Sequence, residues 1–377
     1  MSGIYIHIPF CKQACHYCDF HFSTSQKNRT EMVLALQEEL QMRKGEVDEP
    51  VETIYFGGGT PSVLSDAEID SIIDAVYRNF KVVEDPEITL EANPDDLSHD
   101  RLQRLSASRI NRLSIGIQSF YDEDLRMMNR AHSSAEARES LTEAARLFDN
   151  ITIDLIYGIP GMTDERWREN VRTALSFGIP HISAYALTVE PRTALRKMVD
   201  TGKIASPDDE SAARHFSILT EMLTDAGFVH YELSNFGKPG YFSRNNTAYW
   251  LGKKYLGIGP SAHSYDGKSR SWNVANNSIY LKKINADELP SETEILTTAD
   301  RYNEYVMTGL RTIWGVSAKR VGLEFGPELE SHLLKSAQKA IDGGLLSYEN
   351  GVLTTTQKGK FLSDGLASDL FWVPLEG

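Results

Sequence analysis

Phe10-Cys-Lys-Gln-Ala-Cys-His-Tyr-Cys-Asp-Phe20 holds all three cysteines of this 377-residue chain. Cys11, Cys15 and Cys18 share eight positions, whereas structural thiols would be spread through the core. A closed zinc site needs four ligands and usually pairs its cysteines two residues apart. Three closely spaced thiolates suit a four-iron cluster better, because one short loop can wrap three of its corners and leave one iron open. The alternatives are structural thiols, or a disulfide with one thiol left over.

Composition limits the classes of function. Hydrophobic residues make up 41% of the chain, enough for a substantial core. The 39 Lys and Arg against 53 Asp and Glu give a net charge of −14, so we expect no nucleic-acid partner. No apolar run approaches the roughly 20 residues of a membrane span, and the first ten residues alternate like a strand. We therefore expect a globular, cytoplasmic protein without an integral membrane segment, in a reducing compartment.

The first half of the chain alternates short β-branched runs with amphipathic helical stretches. The candidate strands are residues 4–8, 53–56, 88–92, 112–117, 151–157 and 181–187. Strands separated by helices indicate a parallel sheet with right-handed crossovers. Six strands are fewer than the eight of a closed barrel. The sequence therefore predicts an α/β fold, a partial, TIM-like (β/α)6 barrel in residues 1–190.

The pattern changes after residue 190. We predict that residues 191–297 extend the sheet, with a small sheet in residues 241–259 and loops in residues 267–294. Residues 298–377 are predicted to form a winged-helix-like α+β region, whose strand pair turns at the hairpin-favouring dipeptide Asn350-Gly351. Such modules normally suggest DNA. Residues 316–377, however, carry six Lys or Arg against eight Asp or Glu, which favours a cover or docking surface instead.

Glycine and polar residues follow the candidate strands. Gly57-Gly-Gly-Thr-Pro61 follows the second strand, and Glu91, Gln118 and Asp154 lie at or near the ends of later ones. Ligands bind at the carboxyl ends of parallel strands, so we expect these residues to face one mouth with the cysteine loop. A structural ion-pair network at the rim of the barrel is the alternative interpretation.

The Cys-x-x-x-Cys-x-Tyr-Cys loop resembles the signature of radical S-adenosylmethionine (SAM) enzymes. Three further segments, Gly-Gly-Gly-Thr-Pro, Ile-Gly-Ile-Gln-Ser-Phe and Asp-Leu-Ile-Tyr-Gly-Ile-Pro-Gly, are similar to the coproporphyrinogen-dehydrogenase-like branch of that family. The resemblance covers nearly the whole chain. It implies a [4Fe–4S] cluster on Cys11, Cys15 and Cys18, whose open iron chelates SAM. The SAM contacts that it implies are Tyr5, Tyr17, Gly58, Gly59, Thr60, Glu91, Gln118, Arg130 and Asp154.

Two functions compete within this branch. The oxygen-independent coproporphyrinogen III dehydrogenase carries a fourth cysteine two positions beyond the third, where this chain has Phe20. That departure favours the heme-chaperone relatives of the HemW type, which bind heme and pass it to acceptor proteins such as respiratory hemoproteins. The alternative is an enzyme in which a radical formed from SAM oxidises a tetrapyrrole.

The heme-chaperone relatives carry a His-Asn-x-x-Tyr-Trp motif implicated in heme binding. Here the motif reads Asn245-Asn-Thr-Ala-Tyr-Trp250, and an amide is a poor ligand for heme iron. Tyr249 and Trp250 remain candidates for stacking on a porphyrin, and His263 is a further candidate over the mouth. A structural role is the alternative for each of the three. We therefore expect residues 191–297 to face a porphyrin, with the iron ligand left open.

Overall fold

Six parallel strands, hydrogen-bonded in chain order, form the centre of the fold. In the computed structural model, which describes residues 2–373, they are β1 (Ser2–Ile8), β2 (Val51–Gly58), β3 (Val82–Ala92), β4 (Arg112–Gln118), β5 (Ile151–Tyr157) and β6 (His181–Ala186). The helices that connect them are α1 (Arg29–Met42), α2 (Asp66–Asn79), α3 (His99–Ser106), α4 (Asp122–Met127), α5 (Ser134–Leu147) and α6 (Asp164–Ser176). This arrangement confirms the predicted (β/α)6 fold.

The two faces of this sheet differ in polarity, because alternate residues of a strand point to opposite sides. In β1, Ile4 and Ile6 are buried in the main hydrophobic core. Tyr5 lies between them on the opposite face, where its ring stacks on Tyr55 of β2. The hydroxyl of Tyr55 in turn contacts Glu91 of β3. Parallel strands are usually apolar on both faces, so a polar face indicates a binding site.

Later parts of the chain extend the same sheet at both edges. The added strands are β7 (Val229–Glu232), β8 (Asn235–Gly237), β9 (Tyr255–Ile258), β10 (His263–Tyr265), β11 (Ser269–Asn273) and β12 (Ser291–Ile295). The helices of this part are α7 (Ala194–Asp200), α8 (Asp209–Asp225), α9 (Arg244–Trp250) and α10 (Asn277–Ile284). The strand order is β12-β11-β10-β9-β1-β2-β3-β4-β5-β6-β8-β7, which is open as predicted. The boundary after residue 190 stays a prediction, and it separates strands of one sheet.

Two predictions for this extension are wrong. Residues 241–259 do not form a small sheet of their own, because they contain helix α9 and then β9, which pairs with β1 of the main sheet. Ser243 caps α9 by accepting a hydrogen bond from the Asn246 N–H. Residues 267–294 are not loops, since they contain β11 and α10 and reach into β12. The polar sequence of β12 is that of an exposed strand at the edge of the sheet, where no apolar alternation is required.

The C-terminal region has its own core and its own three-stranded sheet, ordered β13-β15-β14. Its elements are α11 (Thr298–Leu310), β13 (Val316–Ser317), α12 (Ala318–Phe325), α13 (Pro327–Asp342), β14 (Leu346–Glu349), β15 (Val352–Thr355) and α14 (Ser363–Asp369). Asn350 and Gly351 both have positive φ, 52° and 79°, as a two-residue hairpin turn requires. This agrees with the predicted winged-helix-like region. Across residues 2–373, no helix has the length and hydropathy to cross a membrane.

Candidate functional site

The three thiols lie in the loop that follows β1. The base of the loop is closed where the Cys11 N–H donates to the carbonyl of Ser23 over 3.0 Å. The Thr60 hydroxyl, at the end of β2, lies 3.4 Å from the buried Cys11 sulfur. On the other side, Nη1 of Arg130 lies 3.4 Å from the Cys15 sulfur. These contacts hold the loop over the carboxyl ends of the parallel strands.

The three thiols of this loop lie near one another. Burial raises the pKa of the Cys11 thiol and raises that of Cys18 to about 11, and in both cases the nearby Cys15 adds to the shift. The thiols are therefore neighbours. Yet nowhere in residues 2–373 do three His, Cys, Asp or Glu side chains converge as ligands of one metal ion. In a [4Fe–4S] cluster each cysteine binds a different iron.

The chain's own packing requires the glycines after β2. A Cβ at Gly59 would lie 2.6 Å from the Phe10 carbonyl oxygen and 2.9 Å from that of Ile8. Gly58 has a φ of +107°, in the region that side chains disfavour. The Thr60 N–H donates to the Phe10 carbonyl over 2.7 Å. The glycine segment therefore packs directly on the start of the cysteine loop and sets its position.

Two partly buried carboxylates lie on the polar face of the sheet beneath this loop. Glu91 accepts a hydrogen bond from the Tyr55 hydroxyl over 2.7 Å, and Asp154 is bonded to Ser183. Both carboxylates border a cavity of about 50 Å³. Burial raises the pKa of Glu91 to about 7, with a further contribution from Asp154, and raises the pKa of Asp154 to about 6. Carboxylates that titrate near neutrality in a cleft are typical of functional sites.

Arg130 organises a second polar group at the mouth. Its Nη2 donates to Asn93 over 2.6 Å and to the Gly116 carbonyl over 2.9 Å, while its Nη1 lies 3.4 Å from the Tyr17 hydroxyl. Gln118 has a left-handed φ of 64°, and its Nε2 would lie 2.9 Å from a Cβ placed at Gly116. The Nε of Arg130 is buried and has no hydrogen-bond partner among the described residues. A ligand carboxylate would satisfy such a donor.

The residues expected to bind SAM all lie on strands β1–β5 or in loops at one end of the sheet. Sequence reasoning does not single out Tyr55 or Asn93, although both touch this group. Asn93 could have been found, because it follows Glu91 at a strand end. Tyr55 carries no local signal, since a tyrosine within an apolar strand is ordinary.

A cavity of about 570 Å³ lies between the sheet extension and the C-terminal helices. Its lining includes Tyr249, Trp250 and His263. This volume lies within the range of about 300–1,000 Å³ typical of small-molecule and cofactor sites. The Tyr249 ring packs edge-on against Tyr255, with centroids 4.5 Å apart. Burial and the nearby Arg270 lower the pKa of His263, which keeps its imidazole neutral and able to bind a metal.

Asn245 is not among the residues that line this cavity. Its side-chain oxygen accepts a hydrogen bond from Thr53 of β2 over 3.2 Å, and its backbone N–H donates to Glu87 of β3 over 3.0 Å. The residue is 4% exposed. The amide at the first position of the motif is therefore held against the sheet, and any iron ligand in the cavity has to come from another residue.

Two family models match separate parts of the chain. The radical SAM superfamily matches residues 5–174 and the HemN C-terminal domain matches residues 296–362. The heme chaperone HemW of Bacillus subtilis is 35% identical over 369 residues, which cover 97% of this chain and 97% of that protein. HemW of Mycobacterium tuberculosis H37Rv is 36% identical over 375 residues, covering 98% and 94%.

A solved structure supports the fold alone. Coproporphyrinogen III oxidase (HemN) from Escherichia coli superimposes with a TM-score of 0.84, over 98% of this chain and 89% of its own, at 23% identity.

The bovine mitochondrial radical S-adenosyl methionine domain-containing protein 1 is 31% identical over 386 residues, covering 98% of this chain and 87% of that protein. The similarity therefore runs through both the sheet and the C-terminal region.

Proposed function

The chain belongs to the HemW family of radical SAM proteins, and from this premise we propose that it is a heme chaperone, which binds heme and delivers it to acceptor proteins such as respiratory hemoproteins. The observation that carries the proposal is the cavity of about 570 Å³. Tyr249 and Trp250 on α9 and His263 on β10 come together there, although each was singled out from the sequence alone.

Membership of the radical SAM superfamily implies a [4Fe–4S] cluster and SAM. We assign the cluster to Cys11, Cys15 and Cys18; when bound, such a cluster supplies the electron for cleavage of SAM. Arg130 suits the SAM carboxylate, because its buried Nε lacks a partner in the described chain. Glu91 suits the ribose hydroxyls, since an ionised carboxylate accepts hydrogen bonds. The other proposed SAM contacts are Tyr5, Tyr17, Gly58, Gly59, Thr60, Gln118 and Asp154.

In the second site we propose that Tyr249 and Trp250 contact the porphyrin face. Aromatic side chains offer large apolar surfaces for stacking on a planar ring. His263 is the candidate for the iron ligand, because its lowered pKa leaves a ring nitrogen free of a proton at neutral pH. Asn245, held against β2, takes no part in this site.

Coproporphyrinogen III dehydrogenase activity is the second candidate function, since HemN shares the fold. The position of its fourth cysteine holds Phe20, whose side chain is 68% exposed and offers no thiol. We therefore favour the carrier.

Anaerobically reconstituted protein should bind heme with equimolar stoichiometry, seen as a shift in heme absorbance on titration. His263→Ala should change the spectrum of the bound heme, whereas Asn245→His should leave it unchanged if the amide position faces the sheet. Absence of any absorbance shift in the unsubstituted protein contradicts heme binding. Conversion of coproporphyrinogen III to protoporphyrinogen IX by the purified protein contradicts the carrier function.

A further inference from the structure

The cavity assigned to heme is cationic, although the chain as a whole carries a net charge of −14. The charged side chains that line it are Arg270, Arg301, Arg320, Glu304 and Glu324. Three arginines against two glutamates give the lining a net charge of +1, with His263 neutral. Porphyrin stacking and iron ligation do not need these cations. They point to an acidic group on the ligand.

Two of the arginines flank one aromatic pair on the C-terminal wall. Arg301 and Tyr305 are four positions apart on α11 and so share a face of that helix. The Arg301 guanidinium lies 5.8 Å from the ring centroid of Phe325, and that of Arg320 lies 4.4 Å from the ring centroid of Tyr305. The two ring centroids are 6.2 Å apart. Aromatic faces therefore hold both cations beside the cavity.

The arginines differ in their pairing. Nε of Arg320 bonds to Glu324 over 2.8 Å, one helical turn away on α12, and Arg270 pairs with Glu304. Within residues 2–373, no carboxylate lies within ion-pair distance of Arg301, which is half-buried. Exposed ion pairs contribute little to stability, so a ligand carboxylate can displace Glu324 from Arg320 at small cost. Arg301 is available without any displacement.

We propose that Arg301 and Arg320 bind the two propionate carboxylates of heme. The inference rests on the proposed function, which supplies the ligand, and adds the chemical feature by which that ligand is recognised. A planar guanidinium presents two parallel N–H donors that match a carboxylate. The macrocycle then stacks on the aromatic residues of α9 while its acidic edge faces α11 and α12. The cavity then prefers a tetrapyrrole that carries two carboxylates. Esterification of the propionates removes the negative charges that the arginines bind.

Titration with heme and with heme dimethyl ester tests this directly, because the ester keeps the iron and the ring but lacks both charges. Each arginine–propionate pair should contribute about a factor of ten in affinity. The unsubstituted protein should therefore bind heme on the order of 100-fold more tightly than the ester. Arg301→Gln and Arg320→Gln should each weaken heme binding roughly tenfold and leave ester binding unchanged. Arg172→Gln, at an exposed site on α6, should alter neither.

A gain-of-affinity variant separates this effect from misfolding. Glu324→Gln frees Arg320 from its ion pair, so heme should bind more tightly while the ester is unaffected. Equal affinity for heme and ester in the unsubstituted protein overturns the propionate assignment and leaves the chaperone function standing. Preference for heme that persists in both arginine variants also overturns it. Failure to bind either compound overturns the proposed function itself.

Discussion

Replacing Glu39 with alanine should strongly destabilise the protein and weaken heme binding. The Glu39 side chain is 0% exposed and lies on α1, behind the sheet. Its carboxylate accepts hydrogen bonds from Asn273 and from the Tyr280 hydroxyl, each over 2.7 Å, and from the Gly259 N–H over 2.8 Å. All three donors belong to the sheet extension. Glu39 therefore ties the barrel to the segment that carries His263.

The size of the effect follows from the groups left behind. Arg43, 4% exposed, lies 3.3 Å from Glu39 and would remain buried without this partner. Breaking a buried ion pair on one side costs about 3–5 kcal/mol. Arg43 keeps Glu46 and the Gly257 carbonyl, which places the ion-pair loss near the lower end of that range. Each unsatisfied donor among Asn273 and Tyr280 adds about 1–3 kcal/mol unless water enters. Together these contributions amount to a loss of about 5 kcal/mol or more, which is a large share of the 5–15 kcal/mol typical of folded proteins.

Denaturant unfolding followed by circular dichroism measures this loss, and heme titration measures the functional consequence. Glu38→Ala is the matched control, because the side chain of this neighbouring α1 residue makes no hydrogen bond or ion pair in the described chain. The control should change stability by less than about 0.5 kcal/mol. The loss of unfolding free energy in Glu39→Gln should lie between those of Glu39→Ala and Glu38→Ala. Equal unfolding midpoints for Glu39→Ala and Glu38→Ala would refute the reasoning.

Four further predictions concern the cluster and SAM sites. Cys11→Ala should abolish the iron and sulfide content of anaerobically reconstituted protein, and retention of both would exclude this thiol as a ligand. Gly59→Ala should cost about 1–3 kcal/mol and lower cluster yield, because its Cβ would overlap the Phe10 carbonyl oxygen. A Cβ at Gly45 meets nothing within 4 Å, so Gly45→Ala should change neither the stability nor the cluster yield. Equal cluster yields for Gly59→Ala and Gly45→Ala would contradict the packing argument. Since the pKa of Glu91 is about 7, SAM binding should strengthen as pH rises through 7, and Glu91→Gln should remove this dependence. The same raised pKa means that the folded state binds more protons than the unfolded state between pH 4.5 and 7, so stability should fall as pH rises through that window, and a rise would contradict the assignment.

The sequence predicts the barrel well because its signals are local. Alternating strands and helices indicate the parallel order, and the strand-end positions of Glu91 and Asp154 bring them to one cavity. Helix α9 shows where local signals mislead, because Tyr249 and Trp250 are residue types that favour strands. Its place is fixed by distant contacts, such as that of Asn245 with Thr53.

The second cavity lies beyond local reasoning for a different reason. Arg301 and Arg320 have nothing in their sequence neighbourhood that links them to Trp250, and only the tertiary fold brings the three together. A charged residue on a helix is usually just a solvated side chain. The composition even argues the other way, since it is acidic overall.

The order of the two sites along the chain has a consequence for biosynthesis. The cysteine loop and the six central strands have been synthesised once β6 has been made, but β1 still lacks its neighbour β9, and Glu39 still lacks its partners in the sheet extension. The second cavity needs α9, β10, α11 and α12, so its last wall leaves the ribosome with Phe325. The proposed cluster site and the proposed heme cavity therefore both become complete only after the sheet extension has been made, because His21 of the cysteine loop contacts Asn277 over 2.7 Å.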